Sequence, residues 1–141
     1  MTTSPIDDGM IVDLTSAQCW EHLGRQHLGR VAFVFDGRIE MFPVNYVVDD
    51  GQLHILTAGG RKHDAFAARR DVVFEVDDDL GDVVWSVIVR GIGGELSPDE
   101  KREADRRRPI TSFADTYKPH RVRIEPVLVT GRILPTPPSH R

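Results

Sequence analysis

The segment Thr57 to Lys62, with the sequence Thr-Ala-Gly-Gly-Arg-Lys, carries the residue types that bind a phosphate group. Gly59 and Gly60 let the backbone approach a ligand closely. Thr57 supplies a hydroxyl, and Arg61 and Lys62 supply positive charge at the point where a helical pattern begins. A Gly-Gly turn followed by two cations is also an ordinary solvated loop, so the segment by itself leaves both interpretations open.

Other nucleotide-binding and catalytic motifs are absent from the sequence. There is no G-x-G-x-x-G, no G-x-x-x-x-G-K-[ST] and no G-x-S-x-G, which argues against a dinucleotide loop, a P-loop and a serine-hydrolase elbow. The six histidines form no H-E-x-x-H pair. The sequence therefore predicts no metal site, although it leaves open a site assembled from distant strands, and it assigns no catalytic acid or base.

The charge and composition of the chain limit its partners and its location. Hydrophobic residues make up 40% and charged residues 28% of the 141 residues, values typical of one globular domain. The formal net charge of -4 gives no general attraction to nucleic acid. The single cysteine, Cys19, excludes an internal disulfide, and the opening residues have no basic or apolar leader region. We therefore expect a cytoplasmic protein with no nucleic-acid and no membrane partner.

Alternating apolar residues and turn signals predict six strands. Asp36-Gly37 and Asp50-Gly51 are strong hairpin signals, and each stands between two alternating runs. Pro126 marks an edge or a bulge in the last strand, and the glycines at 91, 93 and 94 permit a sharp bend. The predicted strands run from Arg30 to Phe35, Arg38 to Val48, Gln52 to Thr57, Asp71 to Val76, Val83 to Val89 and Arg121 to Ile133.

Three short helices are expected in the breaks between the strands. Because the strands do not alternate with long helices, the fold class is mainly β, a six-stranded antiparallel barrel with a few short flanking helices. We expect a flexible N-terminal arm over residues 1–12, one domain over 13–134 and a flexible C-terminal tail over 135–141. The helices are predicted from Thr15 toward Leu28, from His63 to Arg70 and from Pro98 to about Arg108, and Asp77 to Asp79 are predicted as a turn.

A series of short motifs follows the predicted strands in order. They are Leu28-Gly29-Arg30-Val31-Ala32, Phe42-Pro43-Val44-Asn45-Tyr46, Leu56-Thr57 with Gly60-Arg61-Lys62, Phe74-Glu75-Val76-Asp77, and Trp85-Ser86-Val87 with Val89-Arg90-Gly91. A weaker motif, Val129-Thr130-Gly131-Arg132, lies near the end. Over about Trp20 to Gly94 the series resembles the pyridoxamine 5'-phosphate oxidase-like family of FMN-binding split barrels. The resemblance implies a split β-barrel that binds flavin mononucleotide (FMN) over residues 13–134.

The resemblance also implies a homodimer with two flavin sites at the subunit interface. In this family the loop after the third strand binds the flavin phosphate, which falls here on Thr57, Arg61 and Lys62. The family often has an arginine immediately before the threonine, and this chain has Leu56 there. One phosphate donor of the family is therefore missing, and Arg61 is the residue that could restore the charge.

The flavin ring has its own set of implied neighbours. In the family the backbone around the Pro-Val-Asn-Tyr segment edges the ring, which implies that Val44, Asn45 and Tyr46 lie beside it. Trp85 holds a position that approaches the flavin from the partner chain, and the alternative for this residue is a buried barrel or dimer-interface tryptophan. The family likeness also admits the deazaflavin F420 or haem in place of FMN.

Two functions of different classes follow from the resemblance. The first is a flavin-dependent oxidoreductase of unknown substrate, in which the cofactor supplies the redox chemistry. The second is a non-catalytic module that stores or senses flavin, or that has lost the cofactor while keeping the dimer, and Leu56 is the feature that favours it. The sequence leaves open whether the protein is an enzyme.

Overall fold

The structure, a computed structural model, describes residues 11–110 and 120–136, with the side chain of Lys62 excepted. Most of the expected arm at 1–12 and of the expected tail at 135–141 lies outside these residues. The described residues form β1 (Val12–Asp13), α1 (Ser16–Arg25), β2 (Leu28–Phe35), β3 (Arg38–Asp49), β4 (Gln52–Thr57), α2 (Arg61–Ala67), β5 (Asp71–Asp79), β6 (Val83–Glu95), α3 (Pro98–Arg107) and β7 (His120–Pro135).

The strands form one antiparallel sheet in the order β1-β7-β4-β3-β2-β5-β6. An additional pairing between β6 and β7 joins the sheet to itself and partly closes it. This mainly β arrangement with short helices confirms the predicted split-barrel class. The six predicted strands correspond to β2 through β7, and the two-residue β1, which pairs with the end of β7, is an addition. No helix within the described ranges combines the length and apolar character needed to cross a bilayer.

Two Asp-Gly turns set the register of the first three long strands. Asp36 and Gly37 have φ angles of 52° and 74°, and Asp50 and Gly51 have φ angles of 52° and 73°. Two-residue loops with positive φ at both positions match the right-handed twist of the strands that they join. Both predicted hairpins are therefore present, and they place β2, β3 and β4 side by side.

Helix α1 follows Thr15, the predicted start, which forms a capping box with Gln18. The Thr15 hydroxyl accepts a hydrogen bond from the Gln18 backbone N–H at 3.2 Å, and Gln18 Oε1 accepts one from the Thr15 N–H at 2.8 Å. These bonds satisfy two N–H groups that the first turn would otherwise leave without a partner. The helix then buries Cys19 and Leu23 against the barrel, so it covers one end of the core.

Several predicted boundaries are wrong. Strand β6 extends to Glu95 and not only to Val89, helix α1 ends at Arg25, and β2 begins at Leu28, where the helix was predicted to end. Helix α2 begins at Arg61 and not at His63, and it ends before Arg69, whose φ of 58° is outside the helical range. Asp77 to Asp79 are not a turn, because they continue β5 and pair with Ser86, Trp85 and Val84 of β6. Backbone pairing with a long neighbouring strand outweighs the low intrinsic β-propensity of aspartate.

A bulge lies where β6 and β7 bend. Gly91 pairs with Pro126, whereas the preceding Arg90 pairs with Leu128, so Val127 is the extra residue of β7. Gly91 has no Cβ, and one built there would overlap the Glu125 carbonyl oxygen. The predicted bulge at Pro126 and the predicted bend at Gly91 are thus two sides of one feature.

A charged network is buried between β4, β7 and α3. The side chain of Arg121 is fully buried; its Nε–H donates to His54 Nδ1 at 2.9 Å, and its Nη1 donates to Asp105 Oδ1 at 3.1 Å and to the Arg108 carbonyl oxygen at 2.6 Å. Burial, aided by the charge of Arg121, lowers the pKa of His54 to about 4. His54 is therefore neutral at pH 7, which leaves its Nδ1 lone pair free to accept from Arg121.

Candidate functional site

A cleft of about 220 Å³ opens where β3, β4 and α2 meet. Its floor is aromatic, because Phe33, Phe42 and Phe66 pack edge to face with ring centroids 5.7 and 5.9 Å apart. Among its described lining residues, the one titratable side chain is His63. An apolar cleft of this kind suits a planar ring better than a charged group. The lining residues are Phe33, Phe42, Pro43, Val44, Ile55, Leu56, Thr57, Ala58, Gly59, His63 and Phe66.

The Thr57 to Gly60 loop forms one wall of the cleft. Gly59 and Gly60 have φ angles of 89° and 103°, a region that residues with a side chain rarely adopt. A Cβ at Gly59 would lie 3.2 Å from His120 Nε2, so the glycine also lets the loop approach β7. Thr57 Oγ1 lies 2.6 Å from His63 Nδ1. The sequence pattern of two glycines therefore corresponds to a backbone conformation that needs them.

Arg61 points away from the cleft and toward the β2–β3 turn. Its Nη2 donates to both carboxylate oxygens of Asp36, at 3.1 and 2.9 Å, and its guanidinium carbon lies 5.3 Å from the centre of the Phe35 ring. The Arg61 side chain is 79% exposed, and such surface ion pairs contribute about 0–1 kcal/mol. An anion in the loop could therefore draw Arg61 from Asp36 at a small free-energy cost. The side chain of Lys62 lies outside the described part of the structure.

The three predicted ring neighbours on β3 lie in different environments. Val44 lines the cleft. The Asn45 side-chain amide donates to the His27 carbonyl oxygen at 3.4 Å, on the other face of the strand. Tyr46 is buried; its hydroxyl donates to the Leu23 carbonyl oxygen at 2.6 Å, and burial raises its pKa. Within one chain, the structure brings the side chain of Val44 to the cleft, and those of Asn45 and Tyr46 lie elsewhere.

Trp85 belongs to β6, and its side chain lies in the core of the barrel, separate from the cleft. Its side chain is buried, and its ring lies 4.2 Å from the ring of His22 on α1, measured between centroids. The pKa of His22 is lowered, chiefly by burial and then by the charge of Arg25. This is the buried-barrel placement that was the alternative for Trp85, and within one chain it leaves the ring covered.

Several residues of the cleft carry no recognisable signal in the sequence. Phe33 and Phe66 have the pattern of ordinary core residues, and the strand pairing alone brings them to the opening. Leu56, where the resemblance led us to expect an arginine, lies in the lining and presents an apolar side chain there. In the sequence, the one feature that draws attention to His63 is its position directly after Arg61 and Lys62. The cleft is therefore more apolar than the phosphate motif alone suggests.

A second surface, the outer apolar face, consists of Val34, Ile39, Met41, Val73 and Val127. Ala32 pairs with both Met41 and Val73, which places side chains of β2, β3 and β5 on one side of the sheet. Ile39 is 79% and Val127 is 73% exposed. Most of these residues line an open groove of about 660 Å³ that shares Phe33 with the cleft. A large contiguous apolar surface marks an interaction site more often than it marks free surface.

The size of the cleft bears on what it can hold. Pockets that enclose cofactor-sized ligands have volumes of roughly 300–1,000 Å³. A cleft of about 220 Å³ encloses only part of a flavin nucleotide, so one chain offers a partial site. The aromatic floor and the glycine loop fit the ring and the phosphate of such a ligand, and the outer apolar face adjoins the same opening.

Several solved structures of known proteins share the fold of this chain. An FAD-binding protein from Mycobacterium smegmatis is 30% identical, with a TM-score of 0.75 over 89% of this chain and 99% of that one. A Corynebacterium glutamicum protein named for pyridoxamine 5'-phosphate oxidase is 33% identical, with a TM-score of 0.79 over 89% and 99% of the two chains. An FAD- and haem-binding protein from Mycobacterium smegmatis shares the fold at 18% identity, with a TM-score of 0.69 over 90% and 77%.

None of the curated proteins matches the chain. The family model described as pyridoxamine 5'-phosphate oxidase matches residues 15–133, which include every long strand but for the last residues of β7. The chain therefore belongs to the pyridoxamine 5'-phosphate oxidase family.

Proposed function

We propose that this protein is a cytoplasmic flavoprotein that binds FMN and acts as a flavin-dependent oxidoreductase. The observation that carries the proposal is the cleft, in which an aromatic floor adjoins a loop with two glycines of positive φ. Support also comes from the Mycobacterium smegmatis relative at 30% identity, whose name describes FAD binding. The single described cysteine is a buried free thiol, which suits a reducing compartment.

The residues of this chain would position the cofactor. The backbone of the glycine loop and the Thr57 hydroxyl would contact the phosphate, and Arg61 and Lys62 would supply charge. Val44 and the phenylalanine floor would contact the ring and exclude water from one side. The bound flavin supplies the electron transfer, and the chain tunes and orients it.

A second copy of this chain is the partner that we propose for the outer apolar face. Two observations support it: the cleft encloses too little volume for the whole cofactor, and the face that adjoins it exposes valine, isoleucine and methionine side chains. A homodimer would cover this face, add residues of the partner to the open side of the cleft and yield two flavin sites. Trp85, Asn45 and Tyr46 stay predicted neighbours of the flavin in that assembly.

The phosphate loop is tested by the double substitution Arg61→Ala with Lys62→Ala. We expect FMN affinity, measured by quenching of flavin fluorescence, to fall more than about tenfold, because two charge-assisted contacts are lost. Riboflavin, which lacks the phosphate, should bind the variant and the native protein with equal affinity. FAD titrated in parallel distinguishes the two flavin nucleotides.

The matched control for the loop is Arg102→Ala with Arg106→Ala on α3. This variant changes the net charge by the same amount, at residues outside the lining of the cleft. It should retain native FMN affinity. Unchanged FMN affinity in the loop variant would place the phosphate elsewhere, and absence of binding to any flavin or deazaflavin nucleotide would overturn the proposed function.

The homodimer is tested by sedimentation velocity on Ile39→Glu with Val127→Glu. We expect the native protein to sediment at twice the mass of one chain, and the variant at the mass of one chain, because buried carboxylates without partners disfavour association. The control is Ile11→Glu with Leu80→Glu, at two exposed apolar residues that lie off the outer apolar face. A monomeric native protein, or a variant that remains dimeric, would contradict this interface.

A non-catalytic flavin-binding or flavin-sensing module is the second candidate function. Leu56 lines the cleft where relatives often have arginine, and among the described lining residues only His63 could transfer a proton. Stopped-flow mixing of the loaded protein with a reduced nicotinamide distinguishes the two candidates, since an oxidoreductase bleaches the flavin absorbance rapidly. Absorbance of the purified protein also separates flavin from the alternatives F420 and haem.

A further inference from the structure

Three metal-ligand side chains from distant parts of the chain meet beside the glycine loop. His63 belongs to α2, Glu95 is the last residue of β6 and His120 is the first residue of β7. One candidate ligand atom of each residue lies within 4.8 Å of the other two. The pairing of β4 with β7 and of β6 with β7 creates this juxtaposition, because Thr57 pairs with His120 and Glu95 pairs with Val122.

Two of the three separations between the ligand atoms are close to those of a tetrahedral metal site. Glu95 Oε1 lies 3.2 Å from His63 Nε2 and 3.0 Å from His120 Nδ1. Ligand bonds of roughly 2.0–2.1 Å in a tetrahedron place neighbouring ligand atoms about 3.3 Å apart. The two imidazole rings are tilted by 31° with centroids 4.1 Å apart. Each ring presents one nitrogen to the same oxygen, Glu95 Oε1. Small movements of the side chains would place one ion between all three atoms.

Thr57 supplies the support that a metal-binding histidine requires. Metal-ligating histidines generally donate their second ring N–H to a nearby oxygen, which fixes the tautomer and aims the ligating nitrogen. Thr57 Oγ1 lies 2.6 Å from His63 Nδ1. In the tautomer with the proton on Nδ1, His63 donates to Thr57 Oγ1 and its Nε2 lone pair faces the Glu95 carboxylate, which is the arrangement that a metal ion at Nε2 would use.

The burial of the three residues suits a site that is held on one side and open on the other. The side chain of His63 is 5% exposed, whereas those of His120 and Glu95 are 38% and 43% exposed. Glu95 and His120 line a surface cleft of about 690 Å³ that continues to α3. A three-ligand site with an open side leaves a fourth position for water or a small ligand.

We infer that His63, Glu95 and His120 bind one Zn²⁺ ion per chain, with its fourth position open to the cleft beside α3. Two imidazoles and one carboxylate are the donor set of zinc sites that keep an exchangeable water. The site adjoins the proposed flavin cleft, because His63 lines that cleft and Thr57 contacts His63, so Zn²⁺ binding is measured on flavin-free protein.

Calorimetric titration of ZnCl₂ into tag-free, chelator-treated protein without flavin tests the inference. We expect one ion per chain, and Co²⁺ in its place should give the intense visible absorption of a four- or five-coordinate site. His120→Gln removes one partly exposed ligand and should weaken Zn²⁺ binding by about 100-fold. Thr57→Val should weaken it by about tenfold, and Thr57→Ser, which keeps the hydroxyl, should restore it.

His27→Gln is the matched control, because it removes an exposed histidine outside the cluster and should leave Zn²⁺ affinity unchanged. Circular dichroism establishes that each variant remains folded. Absence of heat with Zn²⁺, or equal affinity in His120→Gln and His27→Gln, would overturn the inference and leave Glu95 as a hydrogen-bond partner of the two histidines only. Flavin binding is measured separately and does not enter either outcome.

Discussion

Gly91→Ala is expected to destabilise the protein by about 3 kcal/mol, because the new methyl group has no space between β6 and β7. A Cβ at this position would overlap the Glu125 carbonyl oxygen and lie 2.9 Å from Ile124 Cγ2. The first of these is a backbone atom, so β7 itself would have to move, and the bulge at Val127 would lose its register. Equilibrium unfolding in urea, at one fixed protein concentration, measures the change from the transition midpoint.

Gly94→Ala is the matched control on the same strand. No neighbouring atom lies within 4 Å of a Cβ built at Gly94, so the free energy of unfolding of this variant should be within about 1 kcal/mol of the native value. It should exceed the native value if alanine lowers the conformational entropy of the unfolded chain. Both substitutions add one methyl group to β6. Equal midpoints for the two variants would show that the strands can separate at Gly91 without a penalty.

Local features of the fold were predictable because their causes are local. The two Asp-Gly pairs between alternating strands adopt the positive φ angles that these residue types favour in hairpins, and Thr15 with Gln18 forms a capping box from four adjacent residues. The bulge was also visible, since a proline cannot donate to its neighbouring strand and the facing glycine has no side chain. Asp77 to Asp79 were misassigned because their pairing with β6 is a tertiary contact that intrinsic propensity does not register.

The site was only partly predictable, and strand geometry explains why. Successive side chains of a strand point to opposite faces, so Val44 and Tyr46 share one face and Asn45 has the other. The three side chains of the Val-Asn-Tyr segment cannot all contact one ligand from a single chain, and Tyr46 is bound to the Leu23 carbonyl inside the core. The sequence also could not place His120 beside His63, because that contact depends on the pairing of β4 with β7.

Arg121→Ala is expected to destabilise the protein by about 3–5 kcal/mol, the cost of removing one partner from a buried ionic network. The substitution deletes the donors to His54 Nδ1, Asp105 Oδ1 and the Arg108 carbonyl oxygen. It also leaves Asp49, a buried carboxylate whose pKa is lowered by its hydrogen bond from Arg107 and by the charges of Arg107 and Arg121, with less compensation. Urea unfolding at pH 7 measures the loss.

Arg123→Ala tests whether burial, and not the ion pair as such, determines the effect. Arg121 and Arg123 share one face of β7, and each donates to a carboxylate of α3 at 3.1 Å. Their side chains are 0% and 24% exposed, so the Arg123 pair should contribute about 1 kcal/mol or less. Arg121→Lys keeps the charge but loses the planar guanidinium that reaches three acceptors. Its loss of stability should therefore lie between those of Arg121→Ala and Arg123→Ala. Equal losses for Arg121→Ala and Arg123→Ala would mean that water reaches the network and screens it.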